Sequence, residues 1–288
     1  MLTDEMTDEL KIRIHGDASL PTLIYLPGMH GDWTLVSSFR AAVAGKTRFV
    51  EFTYPRSVTG TLDDLAREIE GALLANGIRE GWLLGESFGS QPAWQIIKHA
   101  QAVTSGSFRP LGLILAGGFV RHPVNWAVRL AERMSARVPM WIVKLFCSAY
   151  ARYAKFRHRR APETLACVNE FVVNRTNEAD RRAIVRRYAM IVENDLRPVA
   201  RQTHLPVFYL AGLVDPLVPW PVVRWWLRKN CPGYRGGKTM WRADHNVFGT
   251  QPEKSAEQVL EWISDARRSQ RDVQLPNEAS RVSANLLL

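Results

Sequence analysis

The stretch Trp82-Leu-Leu-Gly-Glu-Ser-Phe-Gly89 decides how the rest of the chain is read. Its first three residues form a short apolar run of the kind that makes a buried strand. From Phe88 to about Ala102 the sequence reads as a helix, with Pro92 in the first turn, where a missing N–H costs little. A strand that turns directly into a helix leaves its central residue, Ser87, strained and its side chain exposed. Gly85 and Gly89 flank it because Cβ atoms would collide in so tight a turn. Ser87 is then expected at a helix N-terminus, where free N–H groups and the helix dipole favour an anion. A glycine-bounded helix cap is the plain alternative. The strand before and the helix after are what make a G-x-S-x-G match specific.

Outward from this turn, apolar runs alternate with helical periodicity. Leu10-Lys-Ile-Arg-Ile14 alternates as a half-buried strand does, and Thr22-Leu-Ile-Tyr-Leu26 reads as a buried strand ended by Pro27-Gly28. Arg48-Phe-Val-Glu-Phe-Thr53 and Leu111-Gly-Leu-Ile-Leu-Ala116 are two more strands. Between them, residues 61–76 place Leu62, Leu65, Ile69 and Leu73 at helical spacing, with Thr61 as cap and Asp64 in the first turn. Strands separated by helices indicate βα units and a parallel sheet. The pattern resumes at Pro206-Val-Phe-Tyr-Leu-Ala211 and near Lys238-Thr-Met-Trp241, and residues 252–267 read as the last helix. Beyond Arg267 the chain is polar and aperiodic until Leu286-Leu-Leu288, and a loose tail with a weak docking role for the leucines is expected.

Residues 121–203 break the alternation. No strand is evident there. Residues 140–156 read as a mostly apolar helix with Lys144, Ser148, Arg152 and Lys155 in one polar stripe, and residues 178–196 read as another helix. This segment holds 17 Lys/Arg against 7 Asp/Glu, a balance equal to the +10 of the whole chain. Such asymmetry fits an anionic partner, or equally a solvated arginine-rich surface.

At 288 residues, 46% hydrophobic and 23% charged, the composition excludes a disordered or collagen-like chain and a small disulfide scaffold. Three widely separated cysteines, Cys147, Cys167 and Cys231, offer no CxxC pair and no zinc motif. The acidic first ten residues lack the basic start and apolar run of a secretory signal, and no stretch reaches the ~20 apolar residues of a membrane span. A cytoplasmic protein is expected.

The turn at Ser87 and the residues that follow it resemble the α/β-hydrolase superfamily, in particular its capped, esterase- or lipase-like serine hydrolases, over roughly residues 10–267. The resemblance implies an α/β fold with a mostly parallel central sheet flanked by helices and an all-helical cap inserted after the sixth strand. The core would be residues 1–120 and 204–267, the cap 121–203 and the C-terminal tail 268–288. In the family an acid and then a histidine follow the serine in chain order. Asp215, in Ala211-Gly-Leu-Val-Asp-Pro-Leu-Val-Pro219, and His245, in Arg242-Ala-Asp-His-Asn246, stand at the matching places, and Asp195-Leu-Arg-Pro198 looks like the return from cap to core. Asp215 can also be a turn residue before Pro216, His245 a structural loop histidine, and Asp244 is a rival acid whose side chain would normally point away from its neighbour. The family's oxyanion hole implies backbone N–H groups of Phe88 and of a residue in Leu26-Pro-Gly-Met-His-Gly-Asp32, with Met29 preferred, His30 second, and His30 and Asp32 able to brace the loop.

These roles imply a carboxylic ester hydrolase that works through an acyl-enzyme with a Ser-Asp-His triad. A thioesterase, C–C bond hydrolase, acyltransferase or perhydrolase could use the same groups. A non-catalytic ligand binder on this fold would usually have lost a triad member. Neither metal nor organic cofactor is required. His30, Trp126, Met140 and Trp141 are candidate substrate contacts, though the aromatic residues can equally pack the cap against itself. The basic cap could meet an anionic head group, as in a coenzyme A or carrier-protein thioester, or an anionic membrane surface. No recognised nucleic-acid-binding motif accompanies it.

Overall fold

The computed structural model describes residues 9–285 apart from 57–58, 103–107, 140, 143, 146–147, 150–151, 153–169 and 171–176, with side chains as far as residue 268. Seven strands form one sheet: β1 (Lys11–His15), β2 (Thr22–Leu26), β3 (Arg48–Thr53), β4 (Glu80–Glu86), β5 (Arg109–Ala116), β6 (Val207–Gly212) and β7 (Tyr234–Met240). Their order is β1-β3-β2-β4-β5-β6-β7. Only β1 runs antiparallel, against β3. β2 and β4 are apolar without alternation because a parallel strand is buried on both faces. Leu23 and Tyr25 enter one core layer with Phe49, Leu84 and Phe248, while Ile24 and Leu26 enter the other with Phe52, Leu83 and Trp94.

Helices cover both faces. They are α1 (Ser37–Val43), α2 (Leu62–Ala75), α3 (Ser90–Ala102), α4 (Asn125–Arg137), α5 (Glu178–Glu193), α6 (Arg197–Arg201), α7 (Trp220–Asn230), α8 (Val247–Thr250) and α9 (Pro252–Asn285). The start expected for α2 is present as a full capping box: Asp64 N–H donates to Thr61 Oγ1 at 3.1 Å, and Thr61 N–H donates to Asp64 Oδ2 at 2.9 Å. α7 escaped the sequence pattern because Pro219 and Pro221 read as breakers, whereas they sit at the helix start, where proline is tolerated. β7 begins at Tyr234, before the expected Lys238, since Gly236-Gly237 dilutes the apolar signal on an edge strand.

Five strands, and not six, precede the insertion. Among the described residues none forms a strand ahead of Lys11. α4 and α5 of the insertion pack on each other. Of the helix expected over 140–156, Trp141, Ile142, Lys144, Leu145, Ser148, Ala149 and Arg152 are helical, while Met140, Phe146, Cys147 and Tyr150 lie outside the described residues, as do Cys167 and the run 153–160. The expected loose tail is also corrected. α9 continues to Asn285, so that residues 268–285 are helical. Leu286, Leu287 and Leu288 are outside the described residues. No helix among the described residues is long and apolar enough to cross a membrane.

α2 and α3 are joined by a polar clamp. His99 Nδ1 lies 2.5 Å from Glu70 Oε2 and its Nε2 2.7 Å from Asp63 Oδ1, which also accepts from Gln95 Nε2 at 2.7 Å. Hydrogen bonds from His99, and then from Arg67, hold the Asp63 carboxyl below the usual carboxylate range. A depressed folded-state pKa contributes stability above the unfolded value of ~3.9, and that contribution is lost as pH falls below it. Asp63→Asn is expected to lower the midpoint of thermal unfolding at pH 7, with the gap to wild type shrinking from pH 4 to pH 2. A gap that stays constant over that range would show that the clamp acts by packing alone.

Candidate active site

β4 ends at Glu86, one tight turn spans Ser87–Gly89, and α3 starts at Ser90. Ser87 has φ +49°, the one non-glycine φ in the left-handed region among the described residues. The close approach that forces it is visible at the flanking glycines. A Cβ on Gly89 would stand 2.0 Å from the Leu26 carbonyl oxygen, and one on Gly85 would stand 2.9 Å from Ser90 Cα. The turn is fixed from the other side by Ser90, whose Oγ lies 2.6 Å from the Ser87 carbonyl and accepts from Phe119 N–H at 3.0 Å.

Asp215 follows β6 and His245 follows β7, so both stand at the same C-terminal edge of the sheet as Ser87. His245 Nδ1 is 2.8 Å from Asp215 Oδ2. The other carboxylate oxygen, Oδ1, accepts from Leu217 N–H at 2.8 Å and Val218 N–H at 3.0 Å. With Nδ1–H donated to the carboxylate, neutral His245 keeps Nε2 as an acceptor. Asp244 does not compete: its Oδ1 accepts from Asn246 N–H at 3.0 Å, within its own turn. Gly117 and Gly118, just after β5, bring the pieces together. A Cβ on Gly117 would lie 3.2 Å from the His245 ring, and one on Gly118 would lie 2.7 Å from Ser90 Cβ.

Burial pushes the His245 pKa down, but the hydrogen bond and charge of Asp215 outweigh it and leave the imidazole above its ordinary value. Burial likewise raises Asp215, and the His245 bond and charge with two backbone N–H groups bring it below the carboxylate range. A raised histidine contributes stability that is full below ~6.5 and is lost as pH rises through the folded-state value.

The loop 27–31 lies against the turn. A Cβ on Gly28 would be 3.4 Å from both Ser87 Cβ and His30 Cε1, and Gly31 N–H closes the loop on Gly28 O at 3.0 Å. Met29 is partly buried against the core, and Phe88 is fully buried beside Ser87. Trp126 lines a cavity of about 430 Å³ with His122, Val222, Val223 and Trp226. Trp141 is largely exposed, and Met140 lies outside the described residues. No group of three or more His, Cys, Asp or Glu among the described residues could hold a metal ion.

Two residues near the site carry no sequence signal. Glu86 is buried, and its Oε2 accepts a short hydrogen bond from Tyr25 on β2. Arg187, on α5, is only 5% exposed. Its guanidinium donates to Met29 O at 2.8 Å and Pro55 O at 3.3 Å and lies over the Tyr54 ring. The cradle is built for it: a Cβ on Gly31 (φ +74°) would stand 2.4 Å from Arg187 Nη2. The basic excess of residues 121–203 includes the pairs Arg181-Arg182 and Arg186-Arg187. In the structure Arg187 turns inward, Arg186 donates to Gly60 O at 2.8 Å, and Arg181 donates to Ser135 O at 3.0 Å, Ala136 O at 2.8 Å and Glu178.

Two outcomes follow from this geometry. In an NMR titration the His245 midpoint should lie above that of an ordinary histidine and should fall on Asp215→Asn; an unchanged midpoint would break the electrostatic link. Arg187→Met strips the part-buried carbonyls of Met29 and Pro55 of this donor and should cost about 1–3 kcal/mol in urea unfolding. Lysine should restore little, lacking the planar fork. A methionine variant as stable as wild type would show that the tether holds nothing.

Among solved structures, the chain is similar to a hydrolase from Pseudomonas aeruginosa PA01, with TM-score 0.71, 17% identity and coverage of 88% of this chain and 94% of that one. It is also similar to a thermophilic esterase from Thermogutta terrifontis, with TM-score 0.68, 19% identity and coverage of 89% and 93%. An enol-lactonase from Burkholderia xenovorans LB400 gives TM-score 0.70, 17% identity and coverage of 88% and 96%. No protein-family model and no curated protein sequence matches the chain. With one antiparallel strand at the edge of a parallel sheet, a left-handed serine between β4 and α3, and these neighbours over nearly its whole length, the chain has the α/β-hydrolase fold.

Proposed function

We propose that the chain is a serine hydrolase that cleaves carboxylic esters. The observation that carries this reading is the left-handed Ser87 turn at the same sheet edge as the Asp215–His245 pair. Ser87 Oγ attacks the ester carbonyl while His245 Nε2 takes its proton. Asp215 keeps the imidazole in the required tautomer and stabilises the charge it gains. The N–H groups of Phe88 and Met29 serve the tetrahedral oxyanion, a contribution typically of about 3–4 kcal/mol per donor. The imidazolium then protonates the leaving alkoxide, and water activated by His245 releases the acid from Ser87.

The cavity beside His122 supports an apolar acyl or aryl group. Its walls include Val222, Val223, Trp126 and Trp226, while the guanidinium groups of Arg121 and Arg197 are engaged with Asp195. It adjoins the acid's own loop, since His122 Nε2 lies 3.2 Å from Leu217 O and Leu217 N–H donates to Asp215. A lactone is an internal ester, so an enol-lactonase among the structural neighbours fits the same bond class.

A fluorophosphonate probe should label Ser87, and Ser87→Ala should abolish p-nitrophenyl ester hydrolysis without unfolding the chain. Asp215→Asn should leave KM nearly unchanged and lower kcat by orders of magnitude; in serine proteases the equivalent change costs about 10⁴-fold. Asp244→Asn should stay within a few-fold of wild type. Label on another serine, or a crippling Asp244→Asn beside a mild Asp215→Asn, would overturn the assignment.

A further inference from the structure

A second charge asymmetry lies outside the insertion. Between Asp215 and Asp244 the chain carries six basic residues, Arg224, Arg228, Lys229, Arg235, Lys238 and Arg242, four tryptophans, and no Asp or Glu. The fold gathers much of this segment on one face. α7 buries Val223 and Leu227 and turns Val222 and Trp225 outward. Between α7 and the edge strand β7 lies an open groove of about 580 Å³ lined by Arg224, Arg228 and Arg235 with Trp220, Trp225 and Tyr234.

The cations in and beside this groove are positioned by neutral groups. Arg224 donates to Thr239 Oγ1 at 3.0 Å and Gly237 O at 3.1 Å and stacks over Trp220, while Lys229 stacks over Trp225. Arg235 donates to Pro232 O at 3.3 Å. Among the described residues no carboxylate pairs with Arg224, Arg228, Lys229 or Arg235, so the face keeps its positive charge. An apolar rim continues from it. Trp241, Val214 and Leu217 are 80%, 67% and 62% exposed. They stand together because Leu213 N–H donates to Met240 O at 3.0 Å and Val214 N–H to Ala243 O at 3.2 Å.

The geometry points to docking of the α7–β7 face on an anionic phospholipid surface. Exposed apolar side chains are ordinary one at a time, but a run of them beside a cluster of cations marks an interaction surface. Tryptophan and arginine suit the boundary between headgroups and acyl chains, where an apolar ring or stem is buried and the polar end stays wet. Each basic residue near such a surface is worth about 1 kcal/mol, roughly fivefold in partitioning. Docked this way, the C-terminal edge of the sheet that carries Ser87, Asp215 and His245 borders the lipid. The attachment itself requires no catalysis and uses a surface other than the arginines of the insertion.

Flotation with liposomes tests this. The full chain should float with vesicles of phosphatidylcholine containing about 30% phosphatidylserine at low salt, where the Debye length is long, and should be released at about 0.5 M salt. Pure phosphatidylcholine should capture much less. The triple reversal R228E/K229E/R235E and the pair W225S/W241S should each lower partitioning about tenfold or more. Both should keep wild-type turnover of p-nitrophenyl acetate, so that loss of docking and loss of the hydrolase reading are separate results. No flotation of wild type with anionic vesicles, or variants that float equally well, would overturn the proposal. So would capture by a single-stranded RNA or heparin column with no vesicle binding.

Discussion

The backbone at Ser87 persists in a left-handed conformation only because its surroundings over-determine it. Such a residue costs of the order of 1–3 kcal/mol in an L-amino acid. Here the Leu26 carbonyl of β2 presses against Gly89 so closely that no side chain fits between them, and Ser90 binds both the turn and the strand end beyond it. The turn therefore depends on the neighbours of β4 on both sides. β2 supplies the wall on one side and β5, through Phe119 and the Gly117-Gly118 pair, supplies it on the other. The same pair of glycines gives the His245 ring its place, so a single constraint sets both the serine and the imidazole.

Most of the core was legible because its signals are local. Thr22–Leu26 and residues 111–116 were readable as strands because continuous apolar runs between breakers have few other uses. Thr61 and Asp64 announced α2 through a reciprocal cap that needs only four residues. Ser87 stood out through the strand and helix around it, and Asp215 and His245 through the places that the resemblance implies; the structure sets all three at one sheet edge. The choice between Asp215 and Asp244 was not settled by local pattern alone; it turns on which side chain the chain reversal aims at the ring, and the 2.8 Å contact belongs to Asp215.

What stayed hidden depends on distant pairing. Nothing near Arg187 distinguishes it from Arg186 or Arg182, yet it alone of the three is buried, in a cradle formed by Met29, Pro55 and Tyr54 about 130–160 positions away in the chain. Summed charge also hides placement. Residues 121–203 hold the whole net excess, and three of their arginines donate to carbonyls within the fold while keeping their charge. The acid-free run from Pro216 to Ala243 was invisible in that sum because acidic residues elsewhere balance it. Sequence periodicity also stopped too soon at the C-terminus, where a polar helix without an apolar stripe has no period to detect.

The clamp between α2 and α3 has a mechanical meaning. α3 is held at its first turn by Ser90 against Phe119 and at its far end by Gln95 and His99 against Asp63 and Glu70. It behaves as a beam fixed at both ends, with Ser87 at one support. A beam so mounted cannot slide or tilt without breaking polar contacts at one end or the other, so Ser87 is braced along the helix axis. Trp126 of α4 and Val222 of α7, which line the 430 Å³ cavity, belong to neither support.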